Sequence, residues 1–139
     1  TTPLNLVPSH LEDEIDRINI FTYKDVNNGA YRAGFASTQE AYEKAHDTFF
    51  DALDTLDRVL QFRPFLVGSQ VTEADVRLFP TIYRFDHVYF NRFLLRKKRI
   101  RDYTYLYAWL LRMLDLKGVQ EASNLDHCKK GYFGRSNNG

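Results

Sequence analysis

At 139 residues, with 19 Lys and Arg against 18 Asp and Glu, the chain carries a formal charge of +1. That balance gives no bias toward nucleic acid or a membrane surface, and no apolar run approaches the roughly 20 residues of a membrane span. The length suits one domain with a real core, and the single cysteine, Cys128, excludes an internal disulfide and fits a reducing, cytoplasmic setting.

The N-terminus, TTPLNLVPSH, has neither an initiating Met nor the charged-then-apolar layout of a signal peptide, and reads as an internal start within a longer protein. The first helical pattern places Leu11, Ile15 and Ile18 on one face, with Glu12, Asp13, Glu14 and Asp16 around them. Ser9 is its expected N-cap, and the acidic first turn suits the helix dipole. Asn27-Asn28-Gly29 then predicts a break, because Gly and Asn tolerate backbone angles that other residues avoid. Directly after it, Tyr31, Arg32 and Gly34 stand in the run NNGAYRAGFA, from Asn27 to Ala36. A connector needs no phenol beside a guanidinium, so this segment reads as part of a site wall.

The next helix is the clearest. Ala41, Ala45, Phe49, Ala52, Leu53, Leu56 and Leu60 form an apolar stripe, Thr38 is a suitable cap, and Pro64 stops the helix. Thr72 to Asp75 then matches a capping box, with a hydroxyl and a carboxylate three residues apart, each bonding an orphaned amide. Behind it Ala74, Val76, Leu78, Phe79, Ile82 and Tyr83 cover more than one face, which predicts a buried central helix, with Pro80 loosening or kinking it. A stripe from Leu106 through Trp109, Leu110, Met113 and Leu114 ends before Gly118, and Asn124 caps a last short helix. No segment alternates with period two. The expected fold is all-α, a bundle of about five or six helices filling residues 1–139.

Most chemistry-bearing residues have plainer readings. The four histidines, His10, His46, His87 and His127, show no metal-ligand spacing with each other or with Cys128, so no metal is expected. Asp75 belongs to a capping box, and Trp109 to a core stripe. Asp86 and His87 suit either a helix end or the polar edge of a pocket. Asp126 and His127 are neighbours in sequence and do not face each other on a helix. Arg96, Lys97, Lys98, Arg99 and Arg101 form a dense basic run that reads as a solvated helix end or loop rather than a nucleic-acid site. Cys128 has only Lys129 and Lys130 nearby to lower its pKa, so it is not read as a nucleophile.

A glycine-containing turn followed by Thr72-Glu73-Ala74-Asp75 at the start of a buried helix resembles the C-terminal helical domain of glutathione transferases. Three further segments, Asn27 to Ala36, Val76 to Tyr89 and Asn124 to Tyr132, resemble the glutathionyl-hydroquinone reductases, or Xi-class glutathione transferases, in order and spacing. The similarity runs from about Leu11 to Gly134, although Gly131 and His87 stand where the family usually has other residues.

This resemblance implies a thioredoxin-like domain ahead of the chain, holding the catalytic cysteine and most contacts to the co-substrate glutathione. Its thiolate attacks the sulfur of a glutathionyl-hydroquinone, releases the hydroquinone, and is freed by a second glutathione as the disulfide. The helical domain then supplies the aromatic-substrate pocket, lined by Tyr31, Tyr89 and Tyr132, while Arg32 suits either holding an acidic group or serving the fold. No catalytic residue is expected in this chain itself. A flat ring with hydroxyls suits aromatic faces and phenolic partners. A homodimer formed through this domain is also implied. The alternatives are a non-catalytic protein-interaction module, or a dehalogenase or conjugating transferase. A Cys-Pro motif in an upstream domain would favour the reductase.

Overall fold

The computed structural model describes residues 5–116. Six α-helices are present among them: α1 (Glu12–Thr22), α2 (Asn28–Gly34), α3 (Gln39–Phe62), α4 (Glu73–Arg84), α5 (Phe90–Arg92) and α6 (Thr104–Asp115). No strand occurs among the described residues, so the fold is all-α as its periodicity requires. Gly118, the short helix expected after Asn124, Cys128 and Tyr132 lie outside the described residues.

Two pairs of these helices are single rods interrupted by wider winding. A π-helical turn at Tyr23–Asn27 joins α1 to α2, and the Asn28 N–H reaches back five residues to the Tyr23 carbonyl. A second, at Phe85–Tyr89, joins α4 to α5, with the Phe90 N–H on the Phe85 carbonyl. The break expected at Asn27-Asn28-Gly29 is therefore absent. Val26, Gly29, Ala30 and Ala33 are all buried there, and α2 packs on α3. Burial of that face outweighs the weak helix propensity of Asn and Gly. The rod ends instead at Phe35, and Ala36 to Thr38 form the connector.

Ser9 is not the cap of α1. It opens a 3-10 turn, Ser9–Leu11, closed by the Leu11 N–H on the Pro8 carbonyl at 3.0 Å, which leaves Leu11 at the N-cap position with no side-chain bond. Thr38 does cap α3, accepting from the Ala41 N–H at 3.0 Å. Within α3 the expected stripe is buried except for Ala41, which is exposed, and Phe50 joins it. Arg63 is driven into extended geometry before Pro64 and ends the helix. Helix α4 passes through Pro80 and keeps α geometry to Arg84, so the loosening comes one turn later than the proline predicts.

The capping box at Thr72 and Asp75 forms as expected, and Asp75 does more than cap. It is fully buried, and its carboxylate accepts from the Leu66 N–H at 2.9 Å, the Thr72 N–H at 2.9 Å and the Trp109 indole N–H at 2.8 Å. One side chain thus ties α4, α6 and the α3–α4 connector around a core that includes Phe49, Phe50, Phe79, Phe85 and Trp109. Helix α6 takes its N-terminal acceptor from a different helix. Asp57 of α3 accepts from the Tyr105 and Leu106 N–H groups at 2.9 and 2.8 Å.

Candidate functional site

The first π-helical turn ends four residues before Tyr31, and the second contains Tyr89, both tyrosines singled out in the sequence. Such turns add a residue to the winding and rotate the helix beyond them. After the first, Tyr31 and Phe35 lie one helical turn apart, with ring planes 4° from parallel and centroids 6.3 Å apart. Around the second, Tyr89 and Phe93 repeat the arrangement, at 5° and 5.2 Å. The two pairs meet edge to face: Tyr31 lies 5.7 Å from Tyr89 and 5.5 Å from Phe93. Four rings from two rods form one box.

The phenols of that box are joined. The Tyr31 and Tyr89 oxygens are 3.1 Å apart, across 58 residues of sequence. Tyr89 is 3% exposed, whereas Tyr31 is 44% and Phe35 75% exposed. One phenol donates to the other, and a hydroxyl that accepts from a neighbour is a better donor onward. The pair therefore offers a polarised O–H at the rim of an aromatic surface open to a ligand.

Other expected residues divide. Arg32 does not point into the ring box. Its Nη2 donates to the Lys24 carbonyl at 2.8 Å and lies 3.9 Å from the Asp25 carboxylate, while nearly half of its side chain stays exposed. Asp86 lies inside the second π-helical turn, accepts from the Ile100 N–H at 2.7 Å and the Arg101 N–H at 3.4 Å, and lines a groove with His87. The basic run is a loop held by rings: the Arg99 guanidinium lies 3.8 Å from the Phe90 centroid, and the Lys98 ammonium 4.0 Å from that of Tyr103. Among the described residues no cluster of three His, Cys, Asp or Glu could hold a metal, and no helix is long and apolar enough to cross a membrane.

Sequence reasoning missed Phe35 and Phe93 as pocket rings, and placed Gly34 in the site wall without its packing role. Phe93 fills the space that the missing side chain of Gly34 leaves. The signal for the two phenylalanines was their i+4 spacing from Tyr31 and Tyr89. Beside the box, a groove of about 520 Å³ is lined by Gly34, Tyr42, Arg92, Phe93 and Leu94. Leu94 has a φ of 56°, unusual for a non-glycine residue, and its carbonyl accepts from the Tyr42 hydroxyl. Burial pushes the Tyr42 phenol pKa up, with the Arg96 charge pulling it partly back, so Tyr42 stays protonated to make that bond.

Residues 39–112 match the sequence profile of the glutathione S-transferase C-terminal domain family. The chain belongs to that family. Within it, this glutathione transferase domain is 46% identical over 132 residues to glutathionyl-hydroquinone reductase PcpF of Sphingobium chlorophenolicum, covering 95% of this chain and 42% of that protein. It is 44% identical over 126 residues to glutathionyl-hydroquinone reductase YqjG of Escherichia coli, covering 91% and 38%. Its fold matches the glutathione-bound structure of YqjG, a glutathione transferase homolog, with a TM-score of 0.86 at 42% identity over 95% of this chain and 43% of that one. It also matches glutathione transferase Xi from Phanerochaete chrysosporium, with a TM-score of 0.84 at 43% identity over 94% and 42%. The chain thus spans about two fifths of the length of the curated relatives it matches.

Proposed function

We propose that this domain is the aromatic-substrate-binding part of a glutathione-dependent reductase that removes glutathione from glutathionyl-hydroquinones. The observation that carries the reading is the hydroxyl pair of Tyr31 and Tyr89, 3.1 Å apart inside a box of four rings, with one face open. Similarity to two glutathionyl-hydroquinone reductases over more than nine tenths of the chain supports it.

In this reading a thioredoxin-like domain of the same protein supplies the attacking thiolate and most glutathione contacts. When that thiolate takes the sulfur, the ring carbon keeps the electron pair of the C–S bond and must gain a proton. The work of this chain is to hold the ring against Phe35 and Tyr31 and to aim a phenolic O–H at it. That O–H stabilises charge growing on a substrate oxygen, or delivers the proton. Phenols suit this because they stay protonated at neutral pH and still donate strongly. Tyr132 is proposed as a third phenol of the pocket, on the strength of its motif alone. The assembly is proposed to be a homodimer working in the cytoplasm, with no metal.

The test is glutathione-dependent reduction of a glutathionyl-hydroquinone by the full-length parent and by this chain alone. Turnover by the parent and none by the chain is the expected result. A parent with no turnover removes the reading and leaves a non-catalytic interaction module. Turnover by the chain itself would move the nucleophile to Cys128.

A further inference from the structure

A second groove, of about 780 Å³, lies between the Tyr23–Asn27 turn, α2 and the first half of α3. That volume is in the range of small-molecule sites. Its lining includes Lys24, Asp25, Arg32, Phe35, Lys44 and Thr48. Three cationic groups stand there against one carboxylate. The Arg32 guanidinium is already fixed in place by the Lys24 carbonyl and Asp25, spending one N–H donor on that carbonyl out of the five it carries. The ammonium groups of Lys24 and Lys44 have no ion-pair partner among the described residues.

We propose that this groove recognises a carboxylate carried on the aromatic substrate, so that the preferred substrates are hydroquinones bearing an acidic ring substituent. The inference rests on the reading above and extends it to a substrate class. Phe35 is what links the two places: its ring stacks parallel to Tyr31 and also lines the groove. A ring laid beside Tyr31 and Phe35 therefore carries its substituents to the groove's edge. A neutral substituent gains nothing from unpaired cations. A carboxylate gains a planar, fixed guanidinium, which matches its geometry, and two further positive charges. The small side chains of Ala36, Ala41 and Ala45 leave room for it to approach.

The experiment compares two substrates of the full-length parent, the glutathione conjugate of 2,5-dihydroxybenzoate and that of its methyl ester. The acid is expected to have the higher kcat/KM, with an advantage that shrinks as ionic strength rises. Lys24→Gln and Lys44→Gln should each cut the acid-to-ester ratio by about two- to fivefold, and Arg32→Gln by about tenfold. An unchanged ratio in all three variants overturns the proposal and leaves the reductase reading intact. Equal losses on acid and ester also overturn it, because the cations would then be holding carboxylates of glutathione common to both conjugates. Turnover of neither conjugate removes the reductase reading and this inference with it.

Discussion

A β-carbon placed on Gly34 would sit 2.4 Å from Cδ1 of Phe93, far inside any real carbon–carbon contact. Gly34 closes α2 and Phe93 closes α5, so this contact sets how nearly the two rods approach and where the four rings meet. Gly34→Ala must push Phe93 off its parallel stack with Tyr89. It is expected to destabilise the domain by about 1–3 kcal/mol, the usual cost of overpacking, and to lower turnover in the full-length protein. Gly29→Ala is the contrast, because its β-carbon would meet Phe49 at an ordinary 3.6 Å. There the better helix propensity of Ala is expected to add up to about 1 kcal/mol. Urea unfolding of both variants checks the pair of signs, and a Gly34→Ala variant as stable as the parent would contradict the packing argument.

The hydroxyl pair predicts coupling. Tyr31→Phe and Tyr89→Phe each remove one oxygen from the same hydrogen bond. In the full-length protein each is expected to lower kcat/KM toward a glutathionyl-hydroquinone by about ten- to a hundredfold, the scale of one positioned acid or electrostatic donor. The double variant should lose little more than the worse single one, since residues sharing an interaction are not additive. Losses that simply multiply would mean that the two phenols act separately.

How much of this was legible in the sequence depended on how local the cause was. The caps at Thr38 and at Thr72 with Asp75, the stop before Pro64 and the stripe of α3 from Ala45 onward all rest on neighbours within four residues, and they form as the spacing dictates. The helix through Asn27-Asn28-Gly29 was not legible, because its stability comes from burial against α3, a tertiary term that propensity does not contain. Asp57 capping α6 from 48 residues away is the same kind of case. For the candidate site, the motifs picked out Tyr31 and Tyr89 separately. Their meeting required two π-helical turns, for which no residue pattern was read in the sequence.

The basic run makes a stability prediction instead of a nucleic-acid one. Asp86 accepts two N–H groups of the 3-10 turn Ile100–Asp102, and its own carbonyl accepts from Arg99 at 3.1 Å. Asp86→Ala should cost about 1–3 kcal/mol, because those backbone donors lose their partner. Lys97→Ala, at an exposed position, should stay within about 0.5 kcal/mol of the parent. Thermal unfolding of the two variants separates them. Equal effects would mean that charge, rather than the Asp86 bonds, holds the loop.

Asp75 carries the sharpest pH prediction. Burial pushes its pKa up, and the N–H bonds from Thr72, Leu66 and Trp109 pull it back without cancelling that rise. A carboxyl whose folded pKa exceeds its unfolded value, about 4, binds more protons when folded. Its contribution is therefore greatest below the unfolded pKa and falls as pH rises through the folded one. Asp75→Asn cannot titrate, and it turns an N–H₂ toward donors that need an acceptor, so it should be less stable throughout, by about 2–4 kcal/mol. Its deficit should be largest in mild acid and narrow toward neutral pH, levelling off above the folded pKa. Titrations of the other carboxyls are common to both proteins and cancel in the difference. Urea unfolding of the two proteins at a series of pH values reads this directly. A deficit that widens with pH would show that the three N–H donors outweigh burial and hold the carboxyl below its ordinary pKa.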